Sequence, residues 1–272
     1  MRSLPTFQLL VVTPTLGTSP WLDETVASVA RLPFPCRQVL VAPGAAVAGL
    51  TARYPALRVV PEPGGGMYAA INAGLAAEAD WDAFTYINDD DLLLPAFAAV
   101  VARAQTAEAR VVYGGVRLIN TAGRRVGSIP ISPVPALNRL LYAQRTEPVF
   151  QHGTVATRAV VARLGPFDTS LKFCGDSEFL ARACVAGIPF VCATKRDVAA
   201  FRLRAGQLTK NLPVMLEEHH RLYRKLQLPA DRITLRHRWA RLVFRLANLP
   251  VYVERVARHG FITFGEQLAT VK

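Results

Sequence analysis

Apolar strand-like segments alternate with helix-like segments through the first two-thirds of the chain, and this alternation most restricts the possible folds. The apolar runs predict buried strands at residues 8–12, 38–42, 57–60 and 83–87. Helical patterns lie between them, over about residues 20–31, 67–79 and 92–104. Ser19 suits an N-cap and Pro20 the first helical position. The sequence therefore predicts an α/β fold with a mostly parallel sheet and helices on both faces.

The pattern changes after residue 110. An antiparallel pair is predicted over residues 110–129 around a turn at 121–123, followed by a strand at 148–157. A helix is predicted from Asp176, closed by Gly187. Between Glu217 and Gly260, ten basic residues outnumber four acidic ones and alternate with apolar side chains. We therefore expect one α/β domain over residues 1–211 and a basic amphipathic helical extension over 212–272.

The net charge of +12 needs an anionic partner, which could be nucleic acid, an anionic membrane or a phosphorylated substrate. The four cysteines form no C-x-x-C pair, which indicates reduced thiols in a cytoplasmic protein. The sequence contains no apolar run of roughly 18 residues, the length that a spanning helix needs. We expect a soluble protein, or one held at a membrane surface.

The strongest local signal is the run Asn88 to Asp91 at the end of the fourth strand. Three adjacent carboxylates, Asp89, Asp90 and Asp91, repel one another unless a cation offsets their charge, and oxygen ligands of this kind suit Mg²⁺ or Mn²⁺. The alternative is a solvated turn whose aspartates cap the next helix. In parallel sheets, ligands gather at the carboxyl ends of strands, where residues 13–15 and 42–44 also lie.

Three further segments could carry chemistry, and each has a structural alternative. The glycines at residues 64–66 open a helix and could bind a diphosphate, or form a plain flexible loop. Asp176 and Glu178 could cap a helix, or one of them could be a general base. His152 could be a hydrogen-bonded structural residue or a catalyst. The sequence has no G-x-S-x-G motif and no plausible Cys/His pair, so nucleophilic hydrolysis has little support.

Taken in order, these segments resemble the family-2 glycosyltransferases, which have the GT-A fold, over residues 9–211. The run GGMYAAINAGL is similar to the family's G-x-Y-x-A-x-N-x-G segment, YINDDDLLLP to its N-x-D-D-x-x-x-P form of the D-x-D motif, and GPFDTSLKFCGDSEFLARACVAG to the segment that carries its catalytic acid. The matching residues are Gly66, Tyr68, Ala70, Asn72, Gly74, Asn88, Asp90, Asp91, Pro95, Gly165, Phe167, Asp168, Asp176, Arg182 and Gly187.

The resemblance implies an inverting glycosyltransferase that uses a nucleotide-diphosphate sugar and a glycan or lipid-linked acceptor. It implies that Asp90, with Asp91 or Asp89, holds Mn²⁺ or Mg²⁺ on the donor diphosphate, and that Asp176 deprotonates the acceptor hydroxyl. It places His152 and Glu178 on the acceptor side. The residues it implies for nucleotide-sugar binding are Thr13, Pro14, Thr15, Gly66, Asn72, Asn88, Asp89 and Asp90.

Two departures from the family pattern bear on the donor. Ala42 stands where family members usually have an aspartate that reads uracil, so a dTDP or GDP sugar stays open beside a UDP sugar. Gly64, Gly65 and Ala69 stand where charged residues are frequent. A non-catalytic nucleotide-sugar-binding or scaffold protein is therefore the main alternative, and a sugar-phosphate nucleotidyltransferase a weaker one.

The basic tail leaves a second question, about where the protein works. Its helices could lie on an anionic membrane where lipid-linked acceptors reside, or pack on the first domain with their arginines in water. No nucleic-acid motif accompanies them, so nucleic acid is not an expected partner. We expect a cytoplasmic protein with peripheral contact at the inner face of the membrane.

Overall fold

A computed structural model describes residues 7–204, 212–228 and 233–261. In chain order the strands are β1 (Leu9–Pro14), β2 (Cys36–Ala42), β3 (Arg58–Pro61), β4 (Ala83–Tyr86), β5 (Leu92–Leu93), β6 (Val111–Ile119), β7 (Arg125–Ile129), β8 (Thr154–Thr157) and β9 (Phe190–Arg202). The helices are α1 (Leu22–Ala30), α2 (Gly44–Arg53), α3 (Met67–Ala77), α4 (Ala98–Ala104), α5 (Asn138–Tyr142), α6 (Arg158–Leu164), α7 (Gly175–Val185), α8 (Leu212–Lys225), α9 (Leu235–Ala247) and α10 (Leu249–His259).

The strands form one sheet in the order β3-β2-β1-β4-β8-β6-β9-β5, with β7 paired to β6. The β3-β2-β1-β4 half is parallel throughout, and β6 pairs with β9 in parallel. The strands β8, β5 and β7 pair antiparallel with their neighbours. The mostly parallel α/β sheet predicted from the alternation is confirmed, as is the antiparallel β6–β7 pair.

Both faces of the sheet are covered. Along β1, Leu10 and Val12 belong to the apolar cluster on one face, whereas Leu9 and Val11 belong to the cluster on the other. Continuous apolar strands are what a sheet buried on both faces requires. Helix α3 packs very closely on the first face: a Cβ at Gly74 would lie 2.5 Å from the Val12 side chain. A glycine is therefore needed there for α3 to approach the sheet.

The chain order of the strands reverses beside β1. From β1 the chain builds outward through β2 and β3, and then α3 crosses back so that β4 pairs with the opposite edge of β1. In such sheets the crevice at the carboxyl ends of the two strands flanking the reversal is the usual ligand site. The residues after β1 and β4 meet at this crevice.

Two predicted elements are wrong in their extent. The helix expected from Leu92 begins at Ala98, because Leu92 and Leu93 form β5 on β9, and Leu94, which precedes a proline, is extended. The strand expected over 148–157 is limited to Thr154–Thr157, because residues 151–153 make a short 3₁₀ turn that places Gln151 and His152 against β4. Helix α2 and strand β9 have no counterpart in the predicted pattern.

The C-terminal helices pack on this unit in different ways. Leu222, Tyr223 and Leu228 from the segment around α8 belong to the same apolar cluster as β1 and α3. Ala240 and Phe244 of α9 form a smaller cluster with Leu137 and Leu141. The predicted boundary between residues 211 and 212 stays a prediction, since residues 205–211 lie outside the described part of the chain.

Candidate active site

The three aspartates follow β4 at the crevice, and each has a different environment. Asp89 is partly exposed, and its carboxylate accepts a hydrogen bond from the Thr15 hydroxyl at 2.5 Å, which joins the ends of β1 and β4. Ser19 donates to the Asp89 carbonyl at 2.8 Å. Burial raises the pKa of Asp89, and the Thr15 hydrogen bond opposes that rise. The expected meeting of residues 13–15 with the aspartate run is therefore observed.

Asp90 differs from Asp89 in that it is buried and has an arginine as its partner. Its carboxylate contacts the Arg204 guanidinium. Burial and the neighbouring charge of Asp91 raise the pKa of Asp90 to about 7, although Arg204 opposes them. A carboxyl group in this state gains from a further cation, because a second positive charge would favour its ionised form.

Asp91 is fully buried, and protein donors engage both of its oxygens. The Arg202 backbone amide donates to Oδ1 at 2.7 Å, and Asn88 Nδ2 donates to Oδ2 at 3.1 Å. His152 Nε2 lies 2.8 Å from the same Oδ2. The donor-binding role implied for Asn88 and the metal-binding role implied for Asp91 stay predictions. In the structure, the contacts of these two residues fix the turn and orient His152.

Arg202, at the end of β9, holds the aspartate turn from beneath. Its side chain is fully buried and stacks over Trp21. Nε donates to the Asp90 carbonyl at 2.7 Å, and Nη2 donates to Glu24 Oε2 at 2.6 Å. The sequence reasoning did not identify Arg202 or Arg204, because they lie more than a hundred residues from the aspartates and carry no motif.

Asp176 is the second residue of α7 and is half-buried. The Tyr68 hydroxyl lies 3.1 Å from Oδ1 and 3.1 Å from the Phe173 carbonyl. Burial and the charge of Glu147 raise the pKa of Asp176, against hydrogen bonds from the Ser177 amide and from Tyr68. A carboxylate with a raised pKa at an accessible position fits the requirements of a general base.

His152 lies against the aspartate turn, with Nε2 next to Asp91. It is buried between Phe150 and Phe201, and burial lowers its pKa, but the charge of Asp91 outweighs this effect and the net pKa is raised. Asp176 and Asp90 also act electrostatically on the same imidazole. Tyr86, the last residue of β4, and Gln151, the neighbour of His152, line one small cavity together with Asp176. The acid in the first turn of α7 therefore lies beside the strand from which the aspartate turn follows.

Residues from α8, the first of the three C-terminal helices, hold the segment before Asp176. Glu218 is buried, and its carboxylate accepts hydrogen bonds from the amides of Lys172 and Phe173, both at 2.8 Å, and of Cys174 at 3.1 Å. The neighbouring His219 lies 2.8 Å from Glu147 Oε1. These residues were missed, since a Glu-Glu-His-His run in a polar helix resembles an ordinary solvated face.

Glu147 and His219 form an ion pair near Asp176. Burial raises the pKa of Glu147, but the hydrogen bond and charge of His219 outweigh it, so the net pKa is below its ordinary value. For His219, burial lowers the pKa and the Glu147 hydrogen bond outweighs it, so the net pKa is raised. Both shifts favour the ionised pair, which puts a charged Glu147 near Asp176.

The remaining expected site residues fall into two groups. Pro14 is partly buried at the end of β1, next to Thr15, and Gly66, with a φ of 89°, is the N-cap residue of α3. Thr13, in contrast, is fully buried and its hydroxyl accepts from Gln38 at 3.0 Å. Asn72 exchanges two hydrogen bonds with the backbone of Phe167, at 2.9 and 3.0 Å, which ties α3 to the loop before α7.

Glu178 is not brought to the crevice. It lies two residues after Asp176 on α7, a rotation of roughly 200°, so the two side chains leave opposite sides of the helix. Its carboxylate is fully buried and paired with Arg182 at 3.0 Å and with Lys225 at 3.5 Å. An acid held by two cations inside the protein supports α7 and has no path to an acceptor.

The aspartate turn offers only a few carboxylate ligands to a divalent cation. Within residues 7–204, 212–228 and 233–261, no group of three or more His, Cys, Asp or Glu side chains is arranged to hold a metal ion. Mg²⁺ and similar ions, however, often take only one or two protein carboxylates and complete their coordination with substrate phosphates. Asp90 and the accessible Asp89 fit that pattern, whereas Asp91 has both oxygens engaged.

Comparison with known proteins gives the fold and the family. The sequence model described as Glycosyl transferase family 2 matches residues 10–163, which is more than half of the chain. The comparison with curated protein sequences found no match.

Solved structures of S. aureus TarS are similar in fold. The crystal structure of TarS 1-349 in complex with UDP-GlcNAc has a TM-score of 0.62 at 18% identity, over 96% of this chain and 78% of that chain. The structure of TarS 1-349 alone gives 0.58 at 17% identity, over 96% and 77%. The longer TarS structure gives 0.59 at 17% identity, with 47% of that chain covered. These likenesses confirm the predicted GT-A-like α/β fold, and the family match shows that the chain belongs to glycosyl transferase family 2.

Proposed function

We propose that the protein is an inverting glycosyltransferase that moves a sugar from a nucleotide-diphosphate donor to a hydroxyl group of a glycan or lipid-linked acceptor. The observation that carries this proposal is geometric: Asp176 lines one cavity with Tyr86 at the end of β4 and with Gln151. His152, the next residue after Gln151, lies 2.8 Å from Asp91 in the aspartate turn. Membership of glycosyl transferase family 2 supports a glycosyl transfer.

Asp176 acts as the general base. Its carboxylate takes the proton of the acceptor hydroxyl while that oxygen attacks the anomeric carbon, and the bond from this carbon to the donor diphosphate breaks with its electron pair leaving on the phosphate oxygen. The attack comes from the face opposite the diphosphate, so the anomeric configuration inverts. The raised pKa of Asp176 supports this role, because a stronger base removes a hydroxyl proton more readily.

Asp90 and Asp89 hold the donor end of the site. A divalent cation such as Mn²⁺ or Mg²⁺, when bound, stabilises the negative charge that grows on the leaving diphosphate. Asp90 would supply the main carboxylate ligand and Asp89 would assist it. Asp91 and Arg202 keep the turn in place, because the Arg202 backbone amide donates a hydrogen bond of 2.7 Å to the Asp91 carboxylate.

The nucleotide is expected at the ends of β1 and β2, with Thr15 at the crevice and Gly66 opening α3 beside it. Ala42 at the end of β2 is buried and offers no polar side chain to the nucleobase of the donor. TarS has been crystallised with UDP and with UDP-GlcNAc. UDP-GlcNAc is therefore the first donor to test, with dTDP and GDP sugars beside it.

Donor binding and transfer can be separated with two substitutions. Calorimetry with each nucleotide diphosphate in Mn²⁺ measures donor binding, and release of nucleotide in the presence of acceptor measures transfer. We expect Asp90→Ala to abolish cation-dependent donor binding. Asp176→Asn should bind the donor normally and lower the transfer rate by about 10²–10⁴-fold, the usual contribution of a general base. Asp80→Ala, an exposed aspartate outside the crevice, is the matched control.

The outcomes separate the proposal from its alternatives. Normal binding by Asp90→Ala would remove the aspartate turn from the donor site. A wild-type protein that binds a donor but transfers nothing to a panel of acceptors would support the non-catalytic alternative. A product with the anomeric configuration of the donor, measured by NMR coupling constants, would refute inversion.

A further inference from the structure

The last two helices expose an apolar stripe. Leu235, Trp239, Leu242, Leu246, Leu249 and Val253 follow one another at alternating intervals of four and three residues, across the junction of α9 and α10. Each is 53–81% exposed. Intervals of four and three place side chains on one face of a helix. Each helix therefore exposes one apolar face, and the two faces follow each other in the chain at Leu246 and Leu249, on either side of the turn at Asn248.

The opposite face of these helices is fixed to the protein. Ala240 and Phe244 are buried against Leu137 and Leu141. Asn248, between the two helices, is buried and exchanges hydrogen bonds with the backbone of Ile131, at 2.9 and 3.2 Å. The apolar stripe thus faces outward because the helices are docked by their other side.

The charges around the stripe are almost all positive. Residues 233–261 contain six arginines and one glutamate. That glutamate, Glu254, is bound to Arg125 at 3.2 Å, on the side where α10 packs against β7. Arg236, Arg238 and Arg245 are exposed and adjoin the stripe in sequence.

Two occupants could cover such a stripe: a second copy of the helices or a lipid surface. The intervals of four and three suit a coiled coil, in which the residues flanking the seam face the partner helix. In this chain those flanking residues include Arg236, Arg238 and Arg245, so self-pairing would bring like charges together. Apolar residues bordered by arginines match an anionic bilayer, which takes the apolar side chains into its interface and attracts the cations.

We propose that the stripe on α9 and α10 lies in the interface of an anionic membrane, with Trp239 at the level of the lipid headgroups and Arg238 and Arg245 on lipid phosphates. None of the described helices combines the length and hydropathy of a transmembrane span, so the contact is peripheral. The proposal goes beyond glycosyl transfer, and it explains how a lipid-linked acceptor would be reached.

Flotation with lipid vesicles tests the proposal without donor or acceptor. We expect the wild-type protein to float with vesicles of phosphatidylcholine and phosphatidylglycerol at low salt, and much less with phosphatidylcholine alone. Leu242→Gln/Leu246→Gln should weaken binding by about 100-fold, because two leucines no longer enter the interface. Arg238→Gln and Arg245→Gln should each weaken it about fivefold. A blue shift of tryptophan fluorescence on binding should disappear in Trp239→Phe.

Val214→Gln/Leu216→Gln on α8 is the matched control, since it makes the same change at two exposed apolar positions outside the stripe. Its binding should equal that of the wild type. Equal losses in both double variants, equal binding to both vesicle types, or no flotation of the wild type would each overturn the proposal. A wild-type dimer that Leu242→Gln/Leu246→Gln dissociates, without vesicle binding, would assign the stripe to a second copy. Donor calorimetry on the same variants shows separately whether the transferase proposal holds.

Discussion

The hydrogen bond between Tyr68 and Asp176 gives the sharpest test of the base, through the substitution Tyr68→Phe. Tyr68 is buried, its ring stacks on Phe167, and a Cβ at Gly175 would meet it at 2.7 Å. Phenylalanine fills the same space, so the packing is kept. The substitution removes only the hydroxyl, which lies 3.1 Å from Asp176 Oδ1.

The size of the effect follows from the geometry. The Tyr68 hydrogen bond lowers the pKa of Asp176, so its loss raises that pKa further. A hydrogen bond to a charged group contributes about 1.5–3 kcal/mol. The hydroxyl has one hydrogen for two acceptors, Asp176 Oδ1 and the Phe173 carbonyl, both at 3.1 Å, so the lower end applies. About 1.5 kcal/mol corresponds to a shift of about one pH unit.

The assay is the pH dependence of transfer. Asp176 must be ionised to accept a proton, so the rate falls as the pH drops through the pKa of Asp176. In Tyr68→Phe we expect this acidic limb about one unit higher than in the wild type. The control is Tyr113→Phe, a buried tyrosine whose hydroxyl donates to the Ser132 carbonyl at 2.6 Å and which does not act on Asp176. An unchanged or lowered limb in Tyr68→Phe, or the same rise in Tyr113→Phe, would refute the assignment of the base.

Three other predictions concern the residues around Asp176. Glu147→Gln should move the acidic limb of the transfer rate to lower pH, opposite to Tyr68→Phe, because the charge of Glu147 raises the pKa of Asp176; a shift upward in the pH profile would contradict this. Glu218→Gln should lower the free energy of unfolding by about 2 kcal/mol in urea, since one oxygen of the three-amide site is lost, while the exposed neighbour Glu217→Gln should change it little. Gly175→Ala should lower stability by about 1–3 kcal/mol and reduce transfer, because its Cβ would lie 2.7 Å from the buried Tyr68 ring; Gly49→Ala in α2, with no atom within 4 Å, is the control in both assays.

The parallel half of the sheet could be predicted because its strands are short apolar runs separated by turn signals. One consequence followed without any long-range information: residues 13–15 were expected at the same edge of the sheet as the aspartate run, and in the structure Thr15 contacts Asp89. The helix beginning at Asp176 was likewise readable from its acidic first turn and from Gly187, whose φ is 72°. Local patterns identify elements whose signals are complete within about a dozen residues.

The rest depends on contacts that have no local signal. Strand β9 carries a polar stretch at residues 194–197 where its register against β6 shifts, so it lacks the continuous apolar run of the other central strands. Without β9, neither the extended conformation of Leu92–Leu93 nor the position of Arg202 could be inferred. The burial of Glu178 could not be predicted either. Its spacing from Asp176 is visible in the sequence, but its partner Lys225 lies 47 residues further along the chain.

The rise in the pKa of Asp176 is opposed by its own place in the fold, in the first turn of α7. An acid in the first turn of a helix is ordinarily stabilised in its ionised form by the free amides and the helix dipole, which would lower its pKa. Asp176 has the Ser177 amide and the Tyr68 hydroxyl as donors, yet burial and the charge of Glu147 outweigh them, and the pKa rises. Glu218 of α8 binds the amides of Lys172, Phe173 and Cys174, the residues that lead into α7. Helix α8 therefore fixes the segment that leads to Asp176, and the raised pKa depends on the buried position that this segment holds.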